Sequence, residues 1–281
     1  MKRLSDISVI KEILTRHGFN FSKSLGQNFL INPSVCPRMA EESGAAMGVG
    51  VLEIGPGIGV LTRELCQRAE RVVAVELDKR LLPVLDETLS DLDNVKIVNA
   101  DVLELDLNKL IAEEFEGLEV VVCANLPYYI TSPVIMKLLE DRLPIRAVTV
   151  MVQKEAAQRI CAPVGSRQSG AVTVAVNFYA EPELLFGVSA GSFMPAPKVD
   201  SAVIRLRVLD EPPVDAEPDK FFKTVKAAFS QRRKVISNSL SSGLSKSKDE
   251  INQILARAEV SPTARAEQLS LEDFSRISKY I

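Results

Sequence analysis

The fold of this 281-residue chain is decided by one stretch, which reads Glu53-Ile54-Gly55-Pro56-Gly57-Ile58-Gly59. A short apolar run precedes it and an amphipathic segment follows it, so the order is strand, turn, helix. The glycines allow a tight turn and a close approach of a ligand to the backbone. The spacing is G-x-G-x-G rather than the G-x-G-x-x-G of dinucleotide folds, and no Lys-Ser or Lys-Thr pair for phosphates follows. The turn therefore disfavours NAD and ATP as ligands.

Outward from this turn, short apolar runs rich in β-branched residues alternate with helix-length segments. Five strands are predicted, at residues 50–54, 71–75, 95–98, 119–123 and 147–152. Such runs separated by helices are typical of a parallel sheet covered on both faces. Two further runs, 182–188 and 199–208, have no long helix between them and are predicted to form an antiparallel edge pair. The predicted fold class is α/β, a Rossmann-like doubly wound sheet of five parallel strands plus that edge pair.

The last quarter of the chain has a different pattern, because a proline-rich acidic stretch at residues 210–218 breaks both helix and strand. Beyond it the apolar residues follow a helical period, and capping boxes open two helices at Ser247 and Ser270. The sequence predicts a large domain over residues 1–209, a linker over 210–218 and a small all-α domain over 219–281.

The composition excludes several classes of site. Neither a metal site nor a disulfide framework is expected, because the four cysteines form no C-x-x-C pair and His17 is the only histidine. A single histidine also argues against Ser-His-Asp triads. No apolar stretch approaches the ~18 residues of a membrane span. Lys11 and Glu12 interrupt the place of a signal peptide's apolar region, so we expect a cytoplasmic protein.

Charge is unevenly distributed along the chain, although the net charge is only −3. Residues 41–119 contain 7 basic and 18 acidic residues, whereas residues 220–248 contain eight basic residues and no acidic one. A basic segment of this kind is typical either of a solvated helix face or of a surface that binds phosphates. Charge alone leaves both interpretations open.

Two acidic residues at strand ends extend the site beside the glycine turn. Glu76 ends the second strand about 20 residues after the turn, where a carboxylate is suited to accept both hydroxyls of a ribose. Asp101 follows the third strand, where a carboxylate is suited to accept a hydrogen bond from an adenine amino group. Either acid alone is as typical of a helix N-cap or a solvated loop. Together with Gly55 and Gly57 of the turn, they describe an adenosine site without a phosphate cradle, which fits S-adenosylmethionine.

The sharpest motif is Asn125-Leu126-Pro127-Tyr128-Tyr129, directly after the fourth predicted strand. The amino nitrogen of an aromatic base is a poor nucleophile, because its lone pair is delocalised into the ring. The Asn125 side-chain oxygen and the Leu126 carbonyl, held by rigid Pro127, are suited to accept both amino hydrogens and to localise that lone pair. Tyr128 offers a stacking face for the base. Such positioning supplies up to ~7–11 kcal/mol of a barrier without a dedicated general base.

In these motifs the chain resembles a known family, the ribosomal RNA adenine N6-dimethyltransferases, and within it most closely the small-subunit enzymes. The resemblance implies the fold of a class I methyltransferase and spans nearly the whole chain. Besides residues 53–59 and 125–128, it rests on residues 24–30 (SLGQNFL), 193–202 (FMPAPKVDSA) and 265–270 (RAEQLS).

The resemblance also implies roles for residues that their own pattern leaves unassigned. Asn28 and Leu30 would close over the methionine part of the cofactor as part of an N-terminal lid, and Gly55 would line it. Asn125 would contact the cofactor as well as the target base. Phe193 would stack on the target adenine opposite Tyr128. That pair suits an enzyme that pulls a base out of its stack and holds it between two aromatic faces.

The function implied is S-adenosylmethionine-dependent dimethylation of N6 of two adjacent adenosines near the 3′ end of small-subunit ribosomal RNA, in small-subunit biogenesis. The partner would be that RNA or an immature small subunit, bound by the helical domain through Arg232, Arg233 and Lys234, and a monomer is expected. Two alternatives stay open: a large-subunit methyltransferase of the macrolide-resistance type, and a non-catalytic RNA-binding assembly factor. Residues 265–270 argue against the first, and the intact motif at 125–128 argues against the second.

Overall fold

A computed structural model describes residues 4–19, 28–231 and 233–281 of the chain. The strands are β1 (Phe29–Leu30), β2 (Val49–Ile54), β3 (Arg71–Glu76), β4 (Val95–Asn99), β5 (Glu119–Asn125), β6 (Ala147–Gln153), β7 (Ala180–Val188), β8 (Phe193–Met194) and β9 (Ser201–Val208). The helices are α1 (Ile7–Arg16), α2 (Val35–Glu42), α3 (Val60–Cys66), α4 (Leu82–Thr88), α5 (Leu107–Glu114), α6 (Thr131–Glu140), α7 (Lys154–Ile160), α8 (Ala171–Tyr179), α9 (Pro218–Phe229), α10 (Ile236–Leu244), α11 (Lys248–Arg257) and α12 (Leu271–Ser278). Within these described ranges, no helix is both long and apolar enough to cross a membrane.

Seven of the strands form one sheet in the order β4-β3-β2-β5-β6-β9-β7. The first five run parallel to one another, and β9 pairs with β6 in the antiparallel direction. The edge strand β7 lies beside β9. The predicted fold class is therefore confirmed: five parallel strands carry two further strands at one edge.

The central strands are covered on both faces, which explains their continuous apolar sequence. Every residue of β2 is buried, as expected for a strand in the middle of a parallel sheet. Val51 of β2 and Val121 of β5 belong to one apolar cluster with Met39 of α2 and Leu65 of α3. Residues of α1 and α4 form a second cluster around Ile58, in the glycine turn.

The direction of winding reverses between β2 and β5. From β2 the chain goes to its neighbour β3 and then to β4, and it returns to the other side of β2 to form β5 and β6. In open α/β sheets, ligands bind at the carboxyl ends of the strands where the order reverses. The turn at residues 53–59 follows β2, and Asn125 ends β5, so both motifs lie at this switch point.

A separate two-stranded sheet joins distant parts of the chain. β1 pairs with β8 in the antiparallel direction, with Phe29 opposite Met194 and Leu30 opposite Phe193. The Ile31 N–H donates to the Ser192 carbonyl at 2.9 Å. The segment that begins at residue 28 is thereby fixed beside Phe193. Strands of two residues leave no periodic signal, so the sequence analysis does not predict this sheet.

The chain divides into two compact units, Met1–Ala157 with Glu183–Val208, and Gln158–Pro182 with Leu209–Ile281. The first contains the glycine turn and the carboxyl ends of the parallel strands. The second contains α8 to α12. The domain boundaries drawn from the sequence remain a prediction, and they count Gln158–Pro182 with the large domain instead.

The second unit is built around aromatic side chains. Phe178 of α8 lies 4.5 Å from Phe221 and 5.1 Å from Phe222 of α9 between ring centroids, and Phe274 of α12 lies 6.4 Å from Phe221. Helix α8 is not predicted from the sequence. Its residues are apolar on all sides and mostly buried, so the amphipathic period that indicates a helix is absent.

Candidate active site

A cavity that is open to solvent lies in the first unit at the carboxyl ends of the parallel strands. The predicted cofactor-binding and catalytic residues all line it: Asn28, Leu30, Gly55, Gly57, Glu76, Asp101, Asn125, Leu126, Pro127, Tyr128 and Phe193. Residues far apart in sequence thus share one pocket.

The glycine turn forms the floor of this pocket. Gly55 and Gly57 have φ angles of +71° and +62°, in the left-handed region that favours glycine. A Cβ atom on Gly57 would also lie 3.2 Å from Cε1 of Phe29. The Gly55 N–H donates to the Val75 carbonyl at 2.9 Å. The turn therefore requires glycine at position 57 for both its backbone conformation and its close approach to β1.

Glu76 is held against the turn by backbone groups. Its Oε1 accepts from the Asp78 N–H at 2.8 Å and its Oε2 accepts from the Gly57 N–H at 3.3 Å. Burial raises the pKa of this carboxyl, and the two backbone hydrogen bonds oppose the rise. A carboxylate has about four acceptor positions, so Glu76 retains capacity for two hydroxyl donors while its orientation is fixed.

Asp101 is half-buried and held in a local turn directly after β4. Its Oδ1 accepts from the Leu103 N–H at 2.9 Å, and its carbonyl accepts from the Glu104 and Leu105 N–H groups at 3.1 and 3.0 Å. These contacts fix the carboxyl at the pocket wall, next to the end of β3.

Glu53 is a pocket residue to which the sequence analysis gives no role of its own. Its side chain is 1% exposed, and its Oε2 has no hydrogen-bond partner among the described residues. Burial raises its pKa to about 8, the Thr62 hydroxyl opposes the rise, and the charge of Glu76 adds to it. The signal available in the sequence is an acid at the end of an otherwise apolar strand.

The motif at residues 125–128 leads out of β5 into a short 3₁₀ turn at Tyr128–Ile130. Asn125 is the last residue of the strand and pairs with Met151 of β6. Leu126 is buried, and Pro127 is extended with φ −56° and ψ 133°. The motif is therefore anchored to the sheet at one end and to the 3₁₀ turn at the other.

Tyr128 of this motif and Phe193 of β8 are two aromatic residues that line the same pocket. The Tyr128 hydroxyl lies 2.7 Å from the Ser201 hydroxyl on β9, and Ser201 is fully buried. Burial raises the pKa of the Tyr128 phenol. Phe193 of β8 is also buried, at 3% exposed. The contact with Ser201 is a second feature to which the sequence analysis assigns no role.

Of the predicted RNA-binding residues, Arg233 and Lys234 do not line this pocket. Arg232 lies outside the described residues. Arg233 and Lys234 are exposed in the second unit, between α9 and α10. Residues 24–27 of the predicted lid motif also lie outside the described residues. In the part of the chain that is described, no group of three or more His, Cys, Asp or Glu side chains is arranged to hold a metal ion.

Known proteins match this chain over nearly all of its length. The family named Ribosomal RNA adenine dimethylase matches residues 18–281. The Ribosomal RNA small subunit methyltransferase A of Alkaliphilus oremlandii (strain OhILAs) is 46% identical over 276 residues, which is 98% of this chain and 96% of that protein.

Two solved structures have a similar fold. The 23S rRNA methyltransferase ErmE is 31% identical with a TM-score of 0.67, over 90% of this chain and 99% of that one. A dimethyladenosine transferase from Plasmodium falciparum is 23% identical with a TM-score of 0.73, over 89% of this chain and 95% of that one. The resemblance that the motifs indicate is thus confirmed, and the chain belongs to the ribosomal RNA adenine dimethylase family.

Proposed function

We propose that this protein transfers methyl groups from S-adenosylmethionine to N6 of two adjacent adenosines near the 3′ end of small-subunit ribosomal RNA, twice on each base. Family membership confirms the predictions of an enzyme and of S-adenosylmethionine as its cofactor. The observation that carries the proposal is that one pocket contains both the adenosine-site residues and the Asn125–Tyr128 motif.

The residues present fit the cofactor. Gly55 has a positive φ and open space where a Cβ would stand, so a ligand can lie directly against the backbone there. The buried Glu76 carboxyl is fixed beside the same turn. We assign Glu76 to the ribose hydroxyls and Asp101 to the adenine amino group. Asn28, Leu30 and the glycine turn are assigned to the methionine part. When bound, the cofactor supplies an electrophilic methyl group on a sulfonium ion.

The reacting half of the pocket prepares the nucleophile. We assign the Asn125 side-chain oxygen and the Leu126 carbonyl to accept the hydrogen atoms of the target amino group, which localises the nitrogen lone pair. Pro127 fixes the backbone between the strand and the 3₁₀ turn. Preorganised acceptors of this kind act without reorganisation during the reaction. The proton released by the methylated amine then passes to water, so no side chain has to act as a general base.

The target base is held by stacking. We assign Tyr128 and Phe193 to its two faces, and the hydrogen bond between the Tyr128 and Ser201 hydroxyls fixes the tyrosine ring before the base arrives. Base–aromatic stacking contributes ~1–3 kcal/mol per base. This offsets the few kcal/mol needed to unstack an adenine from its neighbours.

The small-subunit target is supported by the curated relatives. Alkaliphilus oremlandii and Geobacillus thermodenitrificans proteins named Ribosomal RNA small subunit methyltransferase A are 46% and 48% identical to this chain. We extend that substrate to this protein, with small-subunit RNA or an immature small subunit as partner. Arg232, Arg233 and Lys234 are proposed to contact its phosphates, and we expect a cytoplasmic monomer.

One observation supports a large-subunit target as the alternative: the 23S rRNA methyltransferase ErmE is 31% identical over 90% of this chain. The higher identity to the small-subunit relatives favours the proposal. A non-catalytic assembly factor of the same fold is disfavoured by the complete Asn125–Tyr128 motif in the pocket.

The experiment that tests the proposal offers labelled S-adenosylmethionine and unmethylated small subunits, large subunits and protein-free RNAs to the purified protein. The products are digested and the modified nucleoside is identified by mass spectrometry. Dimethyladenosine on small-subunit material alone is the expected result. Label on large-subunit RNA transfers the assignment to the alternative, and RNA binding without label on any substrate supports the assembly factor.

A further inference from the structure

Two consecutive tyrosines lie in the 3₁₀ turn that follows β5. Tyr128 reaches away from the glycine turn, to Ser201 on β9, which lies beyond β6 in the sheet. Tyr129 also lines the pocket, yet 54% of its surface is exposed. The two neighbours therefore have different surroundings, and only Tyr128 has a role in the proposed chemistry.

Tyr129 lines the same cavity as Glu76 and Asp101, the two acids that we assign to the adenosine. Burial raises its pKa, and the negative charges of Asp101 and Glu76 raise it further. Charges act on a partly exposed group in this way only over short distances, because water and salt screen them. Glu76 ends β3 and Asp101 follows β4. The Tyr129 phenol is therefore near both acids, and all three residues line the same cavity.

An exposed apolar rim marks the same side of the pocket. Leu77, directly after Glu76, is 48% exposed and also lines the cavity. Deeper wall residues on that side, such as Val102 and Leu81, are buried. Large apolar side chains at the mouth of an apolar cavity are typical of a site whose ligand completes the packing. The flat adenine and ribose are the part of the cofactor that these surroundings suit.

We propose that the Tyr129 ring closes over the adenosine half of the cofactor, so that it is a cofactor-binding residue and not part of the base-stacking pair. This inference rests on the proposed function, since it takes S-adenosylmethionine as the ligand of the pocket. Its physical basis is the packing of an aromatic ring against a nucleoside, and the phenol hydroxyl is not required.

The test measures binding of S-adenosylhomocysteine and of 5′-methylthioadenosine by calorimetry without RNA, because both ligands contain the adenosine half. Wild-type protein is compared with Tyr129→Phe, Tyr129→Ala and the matched control Tyr128→Ala. Tyr129→Ala should weaken both ligands by about tenfold or more. Tyr129→Phe and Tyr128→Ala should stay within about threefold of wild type. Because Tyr129 is largely exposed, its variants should keep the wild-type melting temperature to within a few degrees, which confirms folding.

Methylation kinetics add a second readout. In Tyr129→Ala, KM for the cofactor should rise while KM for RNA stays unchanged. Wild-type affinity in Tyr129→Ala overturns the inference, and so does a raised KM for RNA alone, which would make Tyr129 an RNA-stacking residue. Equal losses in Tyr129→Phe and Tyr129→Ala overturn it as well, because the hydroxyl would then be the group that matters. Wild-type protein that binds neither ligand overturns the proposed function itself.

Discussion

The two halves of the pocket are built in different ways. In the cofactor half, backbone N–H groups hold the acids: Gly57 and Asp78 donate to Glu76, and Leu103 donates to Asp101. In the reacting half, the polar anchor joins two side chains, Tyr128 and Ser201, that are 73 residues apart in sequence.

Because the two halves are built differently, we expect them to control different quantities: the affinity for the cofactor and the rate of methyl transfer. Backbone-held acids need only a strand, its turn and the neighbouring strand, so the cofactor half is a property of the local fold. The reacting half exists only when residues 125–128, 193 and 201 come together across the sheet order β5-β6-β9. Changes in the first half should therefore weaken cofactor binding, and changes in the second should slow methyl transfer at unchanged cofactor affinity.

The largest expected effect comes from Asn125→Ala. Removing one preorganised acceptor typically costs about 10²–10³-fold in kcat, and single-turnover methylation of unmodified small subunits should show a loss of that size. Affinity for S-adenosylhomocysteine, measured by calorimetry, should fall by less than about tenfold, because the adenosine acids remain. Asn108→Ala, at an exposed position of α5, is the control. Equal losses of rate and affinity would refute the separation of the two halves.

Gly57→Ala should weaken cofactor binding, in contrast to Asn125→Ala, which should mainly slow methyl transfer. Its φ of +62° and the 3.2 Å distance from a new Cβ to Phe29 would force the turn to shift, at a cost of about 1–3 kcal/mol in the free energy of unfolding. Cofactor affinity should fall more than about tenfold. Gly187→Ala is the matched control, because a Cβ there meets no atom within 4 Å. Unchanged binding in Gly57→Ala would show that the ligand does not lie against this backbone.

Much of the cofactor half could be predicted from the sequence because its signals are local. The glycine turn and each of the two acids lie at or just after the end of an apolar strand, so each is identified by its own short stretch of sequence. The doubly wound order that brings these strand ends together follows from the βαβ rhythm. The motif at 125–128 could be identified for the same reason, since it directly follows a strand.

The features that were missed depend on pairing between distant segments. The contact of Tyr128 with Ser201 needs the position of β9 next to β6, and Phe193 comes opposite Leu30 through strands of only two residues. The raised pKa of Glu53 needs its burial beside Glu76, which comes from the pairing of β2 with β3. Helix α8 is apolar on all sides, so no period distinguishes it from a buried strand.

The buried carboxyl of Glu53 makes stability depend on pH in the cofactor half. Its pKa rises from an ordinary value of 4.5 to about 8 on folding, so the folded state binds more protons than the unfolded state between these values. Stability should therefore be highest below about pH 4.5 for this group and should fall as pH rises toward 8, by at most about 1.4 kcal/mol per pH unit. Urea unfolding of wild type and Glu53→Gln across pH 5–8 measures this.

Glu53→Gln should lose most of this dependence of stability on pH, because a neutral amide of the same shape has no charge to bury. Glu76, whose pKa is also raised by burial, should give the residual dependence of the same sign. If the variant kept the full wild-type dependence of stability on pH, another group would be responsible for it. A wild-type protein whose stability does not fall from pH 5 to 8 would show that the Glu53 carboxyl does not gain a proton on folding.

The smallest expected effect tests the anchor of the reacting half. Tyr128→Phe and Ser201→Ala each remove one hydroxyl of the same hydrogen-bonded pair. Such a hydrogen bond contributes about 0.5–1.5 kcal/mol, so each variant should slow methyl transfer by roughly three- to tenfold and leave cofactor affinity unchanged. If the hydrogen bond acts by fixing the ring, the double variant should be no slower than either single variant, because the second change removes nothing further. Multiplied losses in the double variant would mean that the two hydroxyls act independently, and the reacting half would then need a different account of how its aromatic face is held before the base arrives.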